Sequence, residues 1–538
     1  MKPTRRDLIT LGAGAVVALP FTPLPWKLLD DSAIWTQNWP WIPTPARGEP
    51  STKFTACTLC PAACGLKVRC IAGKPVGIAP VAAHPVSRGG LCALAFGAHQ
   101  LPWHPARLKQ PLLRGQATTM DKAQAAVAAE LKRAGANMAF LDARPGRTAS
   151  TLYRRFLQAN GSDRYLTVAR SGEGAGNLLR QWSGSPDPLG IDIENAKTIL
   201  SFGVPVLDGW ATPGRVLAAW KKKGFRLIQV DSVSTTTAGL ADRWLLIEPG
   251  SEAALAQALA GTITAGEAAR TTGLSATLIE DTARELAASG PALVLGDDPA
   301  VAALNVHLQN VGRAGGYLSR RGIAGTPALP LEAVADGSLE LLFAEDDAAP
   351  WEVLKKKLSP TGYLVCFSAY NAGLANHAPC VIPVPANLES ADDAVEPFDA
   401  LAASYSVAQA LLPAPQGVAA AHAFLGRLAG WAEDEYTTAQ AKRVEAIHAA
   451  KRGSIFDPAA GTTTAVAEFK EAAKLQEALQ QGGCWQDDAA APKLLNCTVP
   501  ATLGKAMVAP GNNWTAAVMP PLATKIYQES TLRTTREI

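Results

Sequence analysis

The sequence predicts an α/β protein of two doubly wound lobes, preceded by a small cysteine-rich β-hairpin domain. Three observations carry this reading. Between about Met138 and Leu412, eight β-rich runs (138–143, 198–203, 226–231, 244–250, 292–297, 339–346, 363–369 and 380–386) alternate with Ala- and Leu-rich stretches, as parallel strands joined by helical crossovers do. Four cysteines, Cys57, Cys60, Cys64 and Cys92, stand together ahead of those runs. With 48% hydrophobic and 18% charged side chains over 538 residues, the chain can bury several cores.

The first element is a targeting segment, residues 1–30. Thr4-Arg5-Arg6-Asp7-Leu8-Ile9, followed by an uncharged run to about Leu24, has the form of a twin-arginine export signal, a receptor-read address for proteins that cross a membrane already folded. Pro20, Pro23 and Pro25 interrupt that run, which is short for a hydrocarbon layer of ~30 Å. No clear A-x-A cleavage site follows, so a late-cut signal and a retained anchor both stay open. Nothing later in the chain reads as a membrane helix.

The second element, residues 50–115, carries the cysteines in the spacing C-x2-C-x3-C-x27-C. Three thiolates within eight residues and a fourth from a distance suit a 4Fe-4S cluster, in which each iron takes one protein sulfur. Zinc uses the same thiolates and stays open as an alternative. A c-type haem needs His directly after C-x-x-C, where this chain has Pro61. Alternation from Leu66 to Arg69, a turn at Ala72-Gly73 and alternation through Val76 and Ile78 predict a β-hairpin carrying the ligand loop.

Of the other five cysteines, Cys366 and Cys380 lie in apolar strand-like runs and read as core, Cys484 and Cys497 are candidates for a disulfide, and Cys70 has no assigned role. A net charge of +3 gives no basic footprint for nucleic acid. No G-x-G-x-x-G follows a strand, which argues against NAD or FAD. The seven histidines offer no H-x3-H pair, and neither Ser-His-Asp nor paired-carboxylate catalysis follows from the spacings. His104 reads as packing for the cysteine domain. Asp346-Asp347 and Asp392-Asp393 read as solvated loop charges.

The run from Cys57 to Cys92, including His84-Pro85-Val86 and Gly89-Gly90-Leu91-Cys92, closely resembles the iron-sulfur head of the molybdopterin oxidoreductase (dimethyl sulfoxide reductase) family. The resemblance continues through 195–203, a strand ending in a Gly beside the family's cofactor. It extends to Gln229-Val230-Asp231, Thr236-Thr237-Ala238, Ala241-Asp242-Arg243-Trp244 and Pro249-Gly250-Ser251-Glu252, similar to the loops that hold a guanine nucleotide of the bis-nucleotide pterin. Residues 378–385 with Glu389 resemble a segment of the neighbouring lobe. It implies a discontinuous first lobe (116–170 and 335–412) and a second, nucleotide-binding-like lobe (171–334), the α/β architecture of this family.

Several departures stand beside these matches. Where catalytic members have x-K-G after the fourth cysteine, this chain has Leu94 and Ala95. The family's metal-ligand position falls on or next to Gly172, in the loop 168–174, and Ser171 beside it reads as a turn residue. Ser232 and Val233 follow Asp231 in place of the VDPR arginine. Residues 413–483 read as helical and 484–538 as an extended arm laid on a partner, so the family's β-rich C-terminal cap lobe is expected to be missing.

A cluster retained beside an altered pterin site resembles the molybdopterin-like subunits of periplasmic quinone-linked complexes, namely menaquinone reductase complexes and, more distantly, alternative complex III. That resemblance implies a non-catalytic subunit on the periplasmic side of the cytoplasmic membrane, with molybdopterin guanine dinucleotide absent and electrons passing from cytochrome c to menaquinone. The implied partners are a ferredoxin-like multi-cluster subunit, a multihaem cytochrome c and a polytopic quinone-binding membrane subunit. The alternatives are a catalytic molybdenum or tungsten oxidoreductase and an exported zinc-stabilised scaffold.

Overall fold

The computed structural model describes residues 4–18, 48–222, 224–322, 328–345, 349–487 and 491–503. Helix α1 (Arg5–Ala18) opens on a reciprocal cap in which Thr4 N and Oγ1 donate to the Asp7 carboxylate at 2.8 and 2.6 Å and Asp7 N donates back to Thr4 Oγ1. Leu8, Ile9 and Leu11 on it are exposed. No helix among the described residues is long and apolar enough to cross a membrane. The proline-interrupted end of the targeting segment and Asp346-Asp347 lie outside the described residues.

The cysteine domain is an antiparallel sheet of β1 (Pro50–Ala56), β2 (Gly65–Ile71) and β3 (Lys74–Pro80) in that order. Period-two alternation buries Leu66, Val68 and Cys70 of β2 and leaves Lys67 and Arg69 in solvent. Ala72 and Gly73, at φ +50° and +77°, make the tight turn between β2 and β3. Helix α2 (Ala93–Gly97) and the 3-10 turn Ala98–Trp103 bring Ala95, Ala98 and Leu101 into the same core as the buried face of the sheet.

All eight strands read from the sequence are present. In the first lobe, Tyr165–Thr167, Met138–Leu141, Leu339–Glu345, Leu358–Ser368 and Cys380–Pro383 run parallel in that order, so the chain leaves this sheet after Thr167 and returns to its centre at Leu339. The strands Leu112–Leu113 and Gln116–Ala117 add an antiparallel edge. Successive residues serve opposite faces: Met138 and Phe140 enter one core, Ala139 and Leu141 the other. Phe140 stacks on Tyr153 at 3.9 Å and is fully buried, which is worth roughly 1.5–3 kcal/mol.

The second lobe has a parallel sheet ordered Arg243–Leu246, Arg226–Asp231, Thr198–Phe202, Ala292–Leu295. It too buries both faces, Ile199, Leu227 and Leu293 on one side and Leu200, Ile228 and Val294 on the other. Its edge strand is sealed by buried Asn305, whose Oδ1 accepts from Val294 N at 3.1 Å and whose Nδ2 donates to Val294 O at 2.8 Å.

The C-terminal part corrects two expectations. Residues 413–483 are helical over Ala421–Ala429, Glu435–Ala450 and Ala472–Gln480, but between them lies a hairpin, Ser454–Asp457 with Thr462–Ala465. That hairpin belongs to a third, antiparallel sheet ordered Asp392–Val395, Ser404–Ala408, Cys484–Gln486, Ser454–Asp457, Thr462–Ala465. Its first two strands were assigned to the first lobe, and Cys484–Gln486, read as the start of an arm, is its central strand. The described stretch 491–503 lies on this chain's own second lobe, with Leu495 N donating to Val311 O and Thr498 N to Trp182 O. Residues 504–538 lie outside the described residues.

Cys484 and Cys497 are unpaired: Cys484 is buried in the third sheet, whereas Cys497 packs on the second-lobe core and its Sγ donates to Leu179 O at 3.8 Å. Cys366 and Cys380 are plain core residues, each fully buried.

Candidate metal centre

The ligand loop is closed by a backbone bond from Cys57 N to Cys64 O at 2.8 Å. Cys92 stands at the N-terminal end of α2, and the loop before it is held to the second lobe by the closest backbone approach in the domain: a Cβ added at Gly90 would lie 2.5 Å from Gly214 Cα. On the first-lobe side, buried Arg107 is ion-paired with buried Glu389 and donates to the carbonyls of Ala369 and Val384. Glu389 thus serves here as an anchor for the cysteine domain. His104 plays the packing part read from the sequence, edge-on to Tyr370 at 5.4 Å with Nδ1 accepting from Ala106 N.

The structure brings all four predicted ligands together. Cys57 and Cys64 are buried, Cys60 and Cys92 half-buried. Burial pushes the Cys60 thiol up to about 11, with Cys92 adding to the rise and the Ala62 N–H, Arg170 and Arg144 opposing it. Burial likewise drives Cys57 and Cys64 well above the thiol range, and in both the neighbouring cysteines add to it. Three thiols that resist ionising together without compensation fit a site whose irons would supply the positive charge. The four cysteines, a set of soft thiolate donors, pack in one core with Leu66, Val68 and Leu91. The donor set fits a cluster with one iron per sulfur.

Leu94, in the place of the family's lysine, packs against the cysteine-domain core. The cations near Cys60 are instead Arg144 and Arg170, from loops that follow first-lobe strands. Arg144 borders an open cleft with about 1070 Å³ of empty space, part of it solvent, lined by Cys60, Arg144, Arg147, Glu345, Asp392 and His422, and Arg170 lines a second cleft that Cys60 and Arg144 also border. The walls of the first are paired with each other: Arg144 with Asp392 at 2.5 Å, and Arg147 with Glu345 at 2.5 Å, Asp142 at 3.1 Å and Asp392 at 3.3 Å. Burial works against the Asp392 carboxylate, but Arg144 and Arg147 hold it well below the usual range. Of the residues in these ion pairs, sequence reading singled out only Asp392, which it placed in solvent with Asp393.

Both aspartates are a correction. Asp392 is ion-paired in the cleft wall, and Asp393 is fully buried. Asp393 accepts from Thr148 N and Oγ1, from the hydroxyls of Tyr405 and Tyr436, and from Arg443.

The expected metal-ligand position is occupied by backbone and an indole. Gly172 has φ +77°, and a Cβ there would meet Trp210 Nε1 at 3.0 Å. Gly172 N and Gly174 N both donate to Asp297 Oδ1 at 2.9 Å, and Ser171 O accepts from Trp210 Nε1 at 2.7 Å in the turn read from the sequence. Burial lifts the Asp297 carboxyl to about 6, against those two N–H donors. The residues present do not fit a molybdenum held by a side chain at this place. In the nucleotide-like loops the polar groups bond one another: Trp244 Nε1 to Asp231 O, Gln229 Nε2 to Asp231 Oδ2, Thr237 Oγ1 to Asp208, Ser251 Oγ to Glu248 O.

Comparison with known proteins gives the family. The model for the molybdopterin oxidoreductase Fe4S4 domain matches residues 51–100, and that for molybdopterin oxidoreductase matches 107–514. The chain belongs to the molybdopterin oxidoreductase family. It is 29% identical over 475 residues to the menaquinone reductase, molybdopterin-binding-like subunit of Nitratidesulfovibrio vulgaris, covering 75% of this chain and 68% of that one. It is 29% identical over 218 residues to the F420-dependent formate dehydrogenase subunit alpha of Methanocaldococcus jannaschii, covering 39% of this chain and 32% of that one. Acetylene hydratase from Pelobacter acetylenicus shares the fold, with a TM-score of 0.55 at 15% identity over 90% of this chain and 78% of that one.

The cleft also sets a pH dependence. Burial pushes His422, stacked on Tyr436 at 4.3 Å, down to about 4 from its ordinary 6.5. Between those values the unfolded chain binds a proton that the folded chain refuses, so stability is present above pH 6.5 and is lost as pH falls toward 4. His84, lowered to about 4 by burial, acts in the same direction. His422→Phe, which keeps the stack, is expected to flatten part of the loss in urea melts at pH 4.5, 5.5 and 7; an unaltered pH profile would show that His422 takes up its proton in the folded state.

Proposed function

We propose that this chain is the cluster-carrying subunit of an electron-transfer complex on the periplasmic side of the cytoplasmic membrane. In this reading it is exported by the twin-arginine route and works as a relay, with no molybdenum chemistry of its own. The complex passes electrons from a cytochrome c to menaquinone, through a ferredoxin-like multi-cluster subunit, a multihaem cytochrome c and a polytopic quinone-binding membrane subunit. One observation carries the reading: an intact four-thiol site beside a metal-ligand position filled by Gly172 and Trp210. The likeness to the menaquinone reductase subunit supports the setting, and the exposed helix bearing Arg5 and Arg6 supports the route.

A bound 4Fe-4S cluster supplies a one-electron carrier. Cys57 and Cys64 would hold it from the buried side, half-buried Cys60 from the cleft and half-buried Cys92 from the start of α2. Arg144 and Arg170 place positive charge facing Cys60, which favours the more negative reduced state. The cleft walls need no ligand to neutralise them, because Arg147 is answered three times over.

The purified protein is therefore expected to hold no pterin nucleotide. Acid-iodine oxidation followed by fluorescence detection should give no signal above background. A pterin derivative in stoichiometric yield would overturn the relay and establish a catalytic molybdenum or tungsten enzyme.

A further inference from the structure

The near-neutral balance of the chain hides a strong asymmetry. Of its 50 Lys and Arg, eight fall between Pro50 and Met120, and of its 47 Asp and Glu none does; Glu49 and Asp121 flank the stretch. The rest of the chain therefore carries 42 cationic against 47 anionic side chains. One of the eight, Arg107, is ion-paired from the lobes by Glu389, and exposed Arg88 lies near Glu194, which its charge helps keep ionised. The other six, Lys53, Lys67, Arg69, Lys74, Lys109 and Arg114, are exposed, and among the described residues none of them is in a salt bridge.

Their placement follows from the sheet. Lys67 and Arg69 stand on the outer face of β2, opposite the buried Leu66, Val68 and Cys70 that face the cluster loop, and Lys74 begins β3. Next to Cys92, α2 and the 3-10 turn after it expose Phe96 and Trp103, at 45% and 57%. A cysteine domain with cations of one sign and no acidic side chain, and with two exposed aromatics on the elements that follow Cys92, is suited to steering and seating a partner of opposite charge.

We propose that the cysteine domain docks the acidic face of a redox protein. This rests on the relay reading above and specifies the chemistry of the partner that exchanges electrons with the cluster. An anionic lipid surface would also answer the charge, but the protein partner is favoured because the aromatics and the half-buried Cys92 lie on the same domain and lipid offers the cluster no electron acceptor.

The test uses the purified full-length holoprotein and three probes: an acidic plant-type 2Fe-2S ferredoxin, a basic cytochrome c of similar size, and vesicles of phosphatidylglycerol and phosphatidylcholine. Binding of the ferredoxin should be at least tenfold tighter than that of the cytochrome, and should weaken about tenfold between 50 and 300 mM NaCl. The double variant Lys67→Glu/Arg69→Glu should weaken it by a further tenfold at low salt, with iron content unchanged. Lys53→Glu/Lys74→Glu gives the same readout should the first variant fold poorly. Tighter binding of the basic cytochrome, a ferredoxin affinity indifferent to both double variants, or a response confined to the vesicles would each overturn the proposal. Dithionite reduction followed by EPR on the same samples tests the relay separately: a protein without a reducible cluster sinks the relay while the binding comparison stays readable.

Discussion

Cys60→Ser is expected to lower iron from about four atoms per chain to about three or fewer, and to replace the reduced-cluster EPR signal with that of a three-iron species or with none. Serine offers a hard oxygen where the irons want a soft thiolate. The site is sensitive for a second reason. Burial, with the neighbouring cysteines adding to it, keeps Cys57 and Cys64 protonated, so the positive charge of bound irons is what would let them ionise. Removing Cys60 weakens that mutual dependence at one of its two half-buried members. Because metal binding is coupled to folding, the variant should also melt at a lower temperature. Unchanged iron and an unchanged spectrum would show that Cys60 is not a ligand.

Asp393→Ala should cost about 3–5 kcal/mol of stability, the scale of removing one partner from a buried charge network. The carboxylate ties three pieces together: the N-terminal turn of helix Thr148–Ala159 in the first lobe, strand Ser404–Ala408 of the third sheet, and helix Glu435–Ala450 through Tyr436 and Arg443. Its loss leaves Arg443 unanswered and several buried donors without an acceptor. Asp393→Asn, which keeps one oxygen acceptor, should lose less. Urea unfolding at pH 7 measures both; a loss below about 1 kcal/mol for the alanine variant would show that the third sheet is held by its apolar core alone.

The sequence made the cysteine domain and the eight parallel strands legible because both are local signals. Cys57, Cys60 and Cys64 share one loop, and runs such as those at 226–231 and 292–295 are buried on both faces, so that a short apolar stretch is enough to mark them. The cleft was not legible. Arg144, Arg147 and Arg170 sit in loops with no pattern of their own, and Asp392 and Glu345, the partners of Arg144 and Arg147, lie some two hundred residues away. The same distance hid Asp393, which meets Thr148 across 245 positions and in its own neighbourhood looks like a loop charge. The hairpin Ser454–Asp457/Thr462–Ala465 was missed because its strands are four residues each; its buried residues, Ile455 and Phe456, are fixed as strand by pairing with Trp485 and Cys484. The charge asymmetry of the cysteine domain was printed in the sequence, but the whole-chain sum concealed it.

What the purified chain contains decides between a relay and a catalytic subunit. Metal analysis by inductively coupled plasma mass spectrometry, on protein purified under anaerobic conditions from its native host, should find about four iron atoms per chain and neither molybdenum, tungsten nor zinc above trace. Molybdenum or tungsten at one atom per chain would contradict the relay and restore a catalytic centre; zinc in place of iron would make the cysteine domain a structural knot with no electron to pass.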